Sequence, residues 1–326
     1  MIEDLPESEV VDLPLLPSGW HIVSYSVLAN GSLGIMGSKF DVRTYHARVD
    51  AAFRNGAGHA QPASPFENGG SISARIWVFD GNHLTDGPAF PLEMDCPKFD
   101  RLPEGRWVVS PSRSGADPKS CILNADGDEV RRIHLGDGIN HVQCDDAGRI
   151  WVGWFDEGIY KNQGFLGDPE WIYPDRPSPP SSVGLAAFDQ RGRVVAQAPC
   201  EVKIADCYAL NVAGDTAWAC TYTDFPIFTV AEGRPSQVWT TDFSGPSAIA
   251  VRSPHLLVAG GYGEAADRVI LVRLGSTKAE SLRQWRLPFN SHGPERPDLF
   301  VGRGETLHVV QKDRWYRWRI GNVLSS

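Results

Sequence analysis

The sequence predicts an all-β chain, a six-bladed β-propeller in which residues 1–326 form one domain, closed into a ring by an N-terminal outer strand. Three observations carry this reading. A unit of strand, polar turn and strand recurs six times. The shortest spacings between successive turns equal the length of one four-stranded blade. The last copy runs out of chain one strand short.

Composition prepares the ground. The chain has 326 residues, 42% of them hydrophobic, with 33 Gly, 24 Pro, 11 Trp, 14 Phe and 8 Tyr. That is enough apolar mass for a large core, but Gly and Pro leave few places for a long helix, and the aromatic residues favour strands. The six repeated hairpins occupy 23–36, 99–110, 139–160, 207–220, 248–259 and 299–310. The third is the clearest, two alternating strands around an Asp-x-Gly turn at Asp146 and Gly148. There the acid caps backbone N–H groups and Gly takes positive φ. Turn markers lie 43 residues apart from Gly105 to Gly148 and 40 apart from Gly214 to Pro254, against roughly 40–50 for a blade. The longer intervals hold insertions at 55–71 and 161–181, rich in Gly, Pro and polar residues, which are expected to project over one mouth of the channel. Second strand pairs, such as 120–135, 183–195 and 269–287, complete the blades.

The final copy ends with a third strand at 313–320, and the apolar segment 10–16 is expected to supply the missing fourth. Pro14 is tolerable there, because an outermost strand has one edge free of pairing. Trp107, Trp151 and Trp218 fall on second strands and are expected to pack between blades.

The segment 139–160, with Asp-x-x-Gly, then Ile150-Trp151-Val152-Gly153 and the closing Gly158-Ile159-Tyr160, resembles the two-component-regulator propeller repeat. The count of six resembles the NHL and senescence-marker/gluconolactonase propellers. This resemblance implies the propeller architecture and, from the lactonase group, a divalent cation held in the channel by acidic and amide side chains.

Charge and motifs exclude several functions. The formal net charge is −9, which repels phosphate backbones, so nucleic acid is not an expected partner. No run approaches a membrane span, the acidic N-terminus lacks signal-peptide character, and the six cysteines contain no C-x-x-C. The expectation is a soluble cytoplasmic protein with buried thiols and no membrane partner. No Walker loop, G-x-S-x-G elbow or H-E-x-x-H helix occurs, so chemistry must come from the channel.

In a propeller the starts of the inner strands converge at one mouth, and their identities set the candidate site. His141, Asp206 and Asp298 are the candidate catalytic groups. Lys98, Asn140, Ser247 and Arg296 are candidate substrate contacts, and Asp95 with Asp206 are candidate ligands for a divalent cation. Two functions follow. The first is a cytoplasmic small-molecule enzyme of hydrolase, lyase or isomerase type working at the channel mouth. The second is a non-catalytic module that binds a protein or small ligand. For His141 itself, a neutral ring donating to a backbone carbonyl stands beside the reading as ligand or base.

Overall fold

The computed structural model describes residues 3–6, 8–54, 64–114, 119–160, 179–289 and 296–325. It is a six-bladed β-propeller. Two short strands come first, β1 (Glu3–Asp4) and β2 (Glu9–Asp12). Blade 1 is β3 (His21–Val27), β4 (Leu33–Ser38), β5 (Ile72–Phe79) and β6 (Leu84–Leu92). Blade 2 is β7 (Pro97–Arg101), β8 (Trp107–Pro111), β9 (Ser120–Leu123) and β10 (Glu129–Ile133). Blade 3 is β11 (Ile139–Cys144), β12 (Ile150–Trp154), β13 (Leu185–Phe188) and β14 (Val194–Gln197). Blade 4 is β15 (Asp206–Ala213), β16 (Thr216–Tyr222), β17 (Ile227–Val230) and β18 (Val238–Trp239). Blade 5 is β19 (Ala248–Arg252), β20 (His255–Ala259), β21 (Arg268–Leu274) and β22 (Ala279–Arg286), and blade 6 is β23 (Leu299–Arg303), β24 (Thr306–Gln311) and β25 (Arg314–Arg319).

Each blade is an antiparallel meander, and the inner strands β3, β7, β11, β15, β19 and β23 contact their neighbours all round the ring. The core lies between blades. Trp107 of blade 2 packs with Phe90 and Leu92 of blade 1, and Trp151 of blade 3 with Leu210 and Phe228 of blade 4. Trp218 is half-buried and stacks on Trp239 of its own blade, 5.7 Å between centroids. Close packing at the axis explains Gly302, where a Cβ would sit 1.6 Å from the Ile249 carbonyl oxygen.

Closure is doubled. β2 pairs antiparallel with β25, Val10 opposite Tyr316, and completes blade 6 as its fourth strand. The expected strand at 10–16 is thus shifted toward the N-terminus. Pro14 lies beyond the pairing, and Leu15 is 95% exposed rather than buried. β1 adds a fifth strand to blade 5, parallel to β22, which the sequence reading lacked. Leu5 follows it into a buried cluster with Trp285 and Leu287, so apolar burial supplies the reason for this extra pairing.

One long helix departs from the all-β expectation, α1 (Val42–Arg54) between β4 and β5. Its start is written in the sequence. Asp41 Oδ1 accepts from Thr44 N at 3.0 Å, an N-cap immediately before an Ala-containing run. Both insertions leave the disc at the mouth where inner strands begin, because β4 ends opposite His21 and β12 ends opposite Ile139. Most of each insertion, 55–63 and 161–178, lies outside the described residues.

The turn of the third blade is capped by Asp145, not Asp146. The Asp145 carboxylate accepts from Ala147 N and Arg149 N, and from Trp151 Nε1 at 2.8 Å. All six cysteines are free, but Cys96 and Cys200 are exposed, contrary to the expectation that all are buried. No helix among the described residues is long and apolar enough to cross a membrane.

Candidate functional site

The inner-strand starts enclose a cavity of about 370 Å3 to which every blade contributes a polar side chain. These are Tyr25 from blade 1, Lys98 from blade 2, Asn140 and His141 from blade 3, Tyr208 from blade 4, Ser247 before β19 and Asp298 before β23. Apolar walls come from Phe99, Val142 and Phe300.

His141 is fixed by acceptors. Its Nε2 lies 3.1 Å from the Cys207 carbonyl oxygen and 3.2 Å from that of Tyr208. Carbonyls only accept, so Nε2 carries the proton and the free lone pair is on Nδ1. Burial, with the Lys98 charge second, pushes the ring down to about 4 and holds it neutral. Asn140 Nδ2 donates to the same Cys207 carbonyl at 3.0 Å, which sets the two side chains side by side.

Lys98 is the unusual charge. Burial lowers its pKa, and no carboxylate among the described residues pairs with it. Asp298 has its own cation, Arg43 of α1, at 3.1 Å. The Arg43 guanidinium also lies 6.0 Å from the Tyr25 ring centroid, and burial raises that phenol to about 12. Tyr208 accepts from the Tyr262 hydroxyl at 2.6 Å, and burial raises the Tyr208 pKa. At near-neutral pH the cavity therefore presents a lysine with no counter-ion among the described residues, a neutral imidazole and two protonated phenols.

The channel does not run through the disc. Below the cavity, Arg303 of β23 reaches Asp100 of β7 at 3.1 Å, both buried, and donates to Gln143 Oε1 at 2.9 Å and to the Cys144 carbonyl at 2.6 Å. Gln143 Nε2 donates to the Leu210 carbonyl, and Gln143 Oε1 accepts from Val212 N. Asn211 bridges the Ile249 and Gly304 carbonyls through Nδ2, at 2.8 Å each. This floor ties blades 2 to 6 together and separates the cavity from a second hollow of about 520 Å3 at the opposite mouth. None of these four residues is among the candidates that the sequence singles out. Their signal was a polar residue toward the far end of an inner strand, Asp100, Gln143, Asn211 and Arg303, where alternation alone asks for a hydrophobic one.

The structure brings together Lys98, Asn140, His141, Ser247 and Asp298, and separates the rest. Asp206 is absent from the cavity wall. β15 has a bulge between Cys207 and Ala209, so the alternation resets, Tyr208 lines the cavity and Asp206 does not. Asp206 instead faces Asp156 and Glu157, and burial with these two charges raises it to about 6. Asp95 sits at the rim, hydrogen-bonded to His46 at 2.8 Å. Arg296 is exposed and does not line the cavity. Tyr25, Tyr208 and Arg43 were not foreseen, the last because it enters on the unexpected helix.

These positions do not fit a divalent cation in the channel. Among the described residues the cavity offers one carboxylate, Asp298, already ion-paired, and a lysine repels a second positive charge. His141 offers Nδ1 alone as a donor, since Nε2 donates to the Cys207 and Tyr208 carbonyls, and among the described residues Asp95 and Asp206 do not share a donor cluster.

Neither a family profile nor a curated protein sequence matches the chain. Among solved structures, one described as a candidate gluconolactonase aligns over 97% of this chain and 94% of its own, at 13% identity and TM-score 0.48. A gluconolactonase from Xanthomonas campestris aligns over 97% and 98%, at 10% identity and TM-score 0.43. Hsv2 of Kluyveromyces lactis aligns over 90% and 72%, at 9% identity and TM-score 0.47.

Proposed function

We propose that this propeller is an enzyme acting on a small carboxylate-bearing molecule in the 370 Å3 cavity, with Lys98 fixing the substrate anion and His141 Nδ1 accepting a proton. One observation carries the reading. A lysine without a counter-ion among the described residues and a histidine held neutral line the same closed-bottomed cavity. An incoming carboxylate forms a charge-assisted hydrogen bond with the ammonium. It also offsets the charge that depresses His141, so substrate binding itself raises the basicity of Nδ1. Asn140, Ser247 and the Tyr25 and Tyr208 hydroxyls supply donors and acceptors for a polyhydroxylated body, and Asp298, held by Arg43, forms part of the wall. The reaction class this suits is proton abstraction or water activation, that is hydrolase, lyase or isomerase chemistry. A cytoplasmic setting belongs to the same proposal and is supported by six unpaired thiols.

A second reading, a binding module for the same ligand class, is favoured by the low basicity of His141, which suits a fixed hydrogen-bonding group. Calorimetric titration with a panel of hydroxy acids and their lactones, followed by turnover assays on those that bind, separates the two. Lys98→Met is expected to weaken carboxylate binding by about 10- to 100-fold in either case. His141→Gln is expected to keep binding and lose turnover if the protein is an enzyme, and the binding module predicts no turnover in the parent. Equal carboxylate affinity in parent and Lys98→Met would overturn both.

A further inference from the structure

We propose that His46, Asp95 and Cys96 form a transition-metal site, with zinc(II) as the metal its nitrogen, oxygen and sulfur donors suit best, and that this site fastens α1 to the rim of the cavity. The inference stands independently of the cavity's chemistry. Among the described residues these three are the one group of His, Cys, Asp and Glu whose donor atoms all lie within 4.8 Å of one another. The His46 Nε2 to Asp95 Oδ1 distance is already 2.8 Å. Bond lengths of about 2.0–2.3 Å in a tetrahedral zinc site place donors roughly 3.3–3.8 Å apart, so shifts of about an ångström assemble the site.

Charge agrees with distance. A thiolate and a carboxylate with a neutral imidazole carry two negative charges, which one dication balances. Zinc displaces the thiol proton to solvent, and the imidazole proton, on Nε2 while it donates to Asp95, moves to Nδ1 through solvent so that Nε2 can bind. The same neighbours argue against a thiolate nucleophile: although the residue is exposed as a whole, protein packed around its sulfur desolvates it and, with the adjacent carboxylate, pushes Cys96 up to about 11. Cys96 is also held at φ +45, which a non-glycine residue adopts only where its surroundings impose it.

The placement gives the site a purpose. Asp95 and Cys96 lie on the link between β6 and β7, whereas His46 lies on α1 one turn beyond Arg43. Arg43 is the partner of Asp298 in the cavity wall. A metal here would join the inserted helix to the disc beside the residue through which that helix reaches the cavity. Three protein donors leave a fourth position for water.

Protein stripped with a chelator and titrated with zinc chloride is expected to take up one equivalent with micromolar or tighter affinity, and cobalt(II) is expected to give near-ultraviolet thiolate-to-metal absorption. Cys96→Ser should abolish that absorption, and Cys96→Ser and His46→Gln should each weaken zinc binding by at least about tenfold. Circular dichroism would verify that the variants are folded. Cys200→Ser, at the other exposed thiol, should change neither readout. Zinc should slow amide exchange across residues 42–54 in the parent but not in Cys96→Ser. Absence of stoichiometric uptake, or uptake equal to the parent's in the Cys96 and His46 variants, would overturn the site.

Discussion

Arg303, on the innermost strand of blade 6, reaches past blade 1 to Asp100 on the innermost strand of blade 2, Nη2 to Oδ2 at 3.1 Å, with both side chains almost wholly excluded from water. The carboxylate also accepts from Cys144 N at 2.7 Å and Arg101 N at 2.7 Å. One ion pair between blades 6 and 2 thus holds backbone groups of blades 2 and 3 and seals the floor of the cavity.

Removing one partner of such a pair strands the other charge in the core. Arg303→Met is expected to lower unfolding stability by about 3–5 kcal/mol, measured by urea titration. Adding Asp100→Asn should recover part of the loss, because it removes the stranded charge while the single amide oxygen still accepts one of the two backbone N–H groups. A single variant that unfolds at the parent's midpoint would show that the pair is incidental.

His141 sets an acid limit on stability. Its folded-state pKa is lowered from 6.5 to about 4, so between these values the unfolded chain binds the extra proton. The stabilisation is complete above pH 6.5 and declines as pH falls through this window, by about 2 kcal/mol at pH 5. Buried His308, lowered to about 3, acts in the same direction. His141→Gln retains an N–H donor for the Cys207 and Tyr208 carbonyls without titrating. Urea midpoints of parent and variant should therefore converge on acidification from pH 7 to pH 5. A constant gap would mean that the ring is not held neutral.

Lys98 trades stability for recognition. Replacing a desolvated ammonium that lacks a counter-ion among the described residues by an apolar chain of similar length is expected to stabilise the apo protein by about 1 kcal/mol, or about 2 °C at this size. The same Lys98→Met protein should bind small carboxylates less well. A lower melting temperature would reveal a structural role for the charge.

The N-terminal strands close the ring at two edges. Deleting residues 1–16 removes the pairing of β1 with β22 and of β2 with β25, together with buried Leu5 and partly buried Val11, Leu13 and Leu16. A loss of several kcal/mol is expected from apolar burial alone. Differential scanning calorimetry gives the test, and an unchanged melting temperature would assign closure elsewhere.

Much of this was legible in the linear sequence because strand alternation and turn chemistry are local. Six hairpins announce themselves through Gly31, Gly105, Gly148, Gly214 and Gly304, all of which take positive φ, and through a turn at Pro254. From the hairpins follow the inner strands, and from their starts the residues that share the cavity, Lys98, Asn140, His141, Ser247 and Asp298. The need for a closing strand also followed, since a third strand without a fourth leaves an open edge.

Tertiary structure decided what depends on register and on insertions. A single bulge at Tyr208 turns Asp206 away from the cavity, because one extra residue reverses which face a side chain occupies. α1 brings Arg43 to Asp298 and His46 to Asp95 across sequence separations that no local pattern encodes. The buried floor of Asp100, Gln143, Asn211 and Arg303 exists only when blades close into a ring, since each side chain finds its partners on other blades. Periodicity follows from the geometry of one strand, whereas charge pairing at the axis depends on all six blades arriving at a common centre.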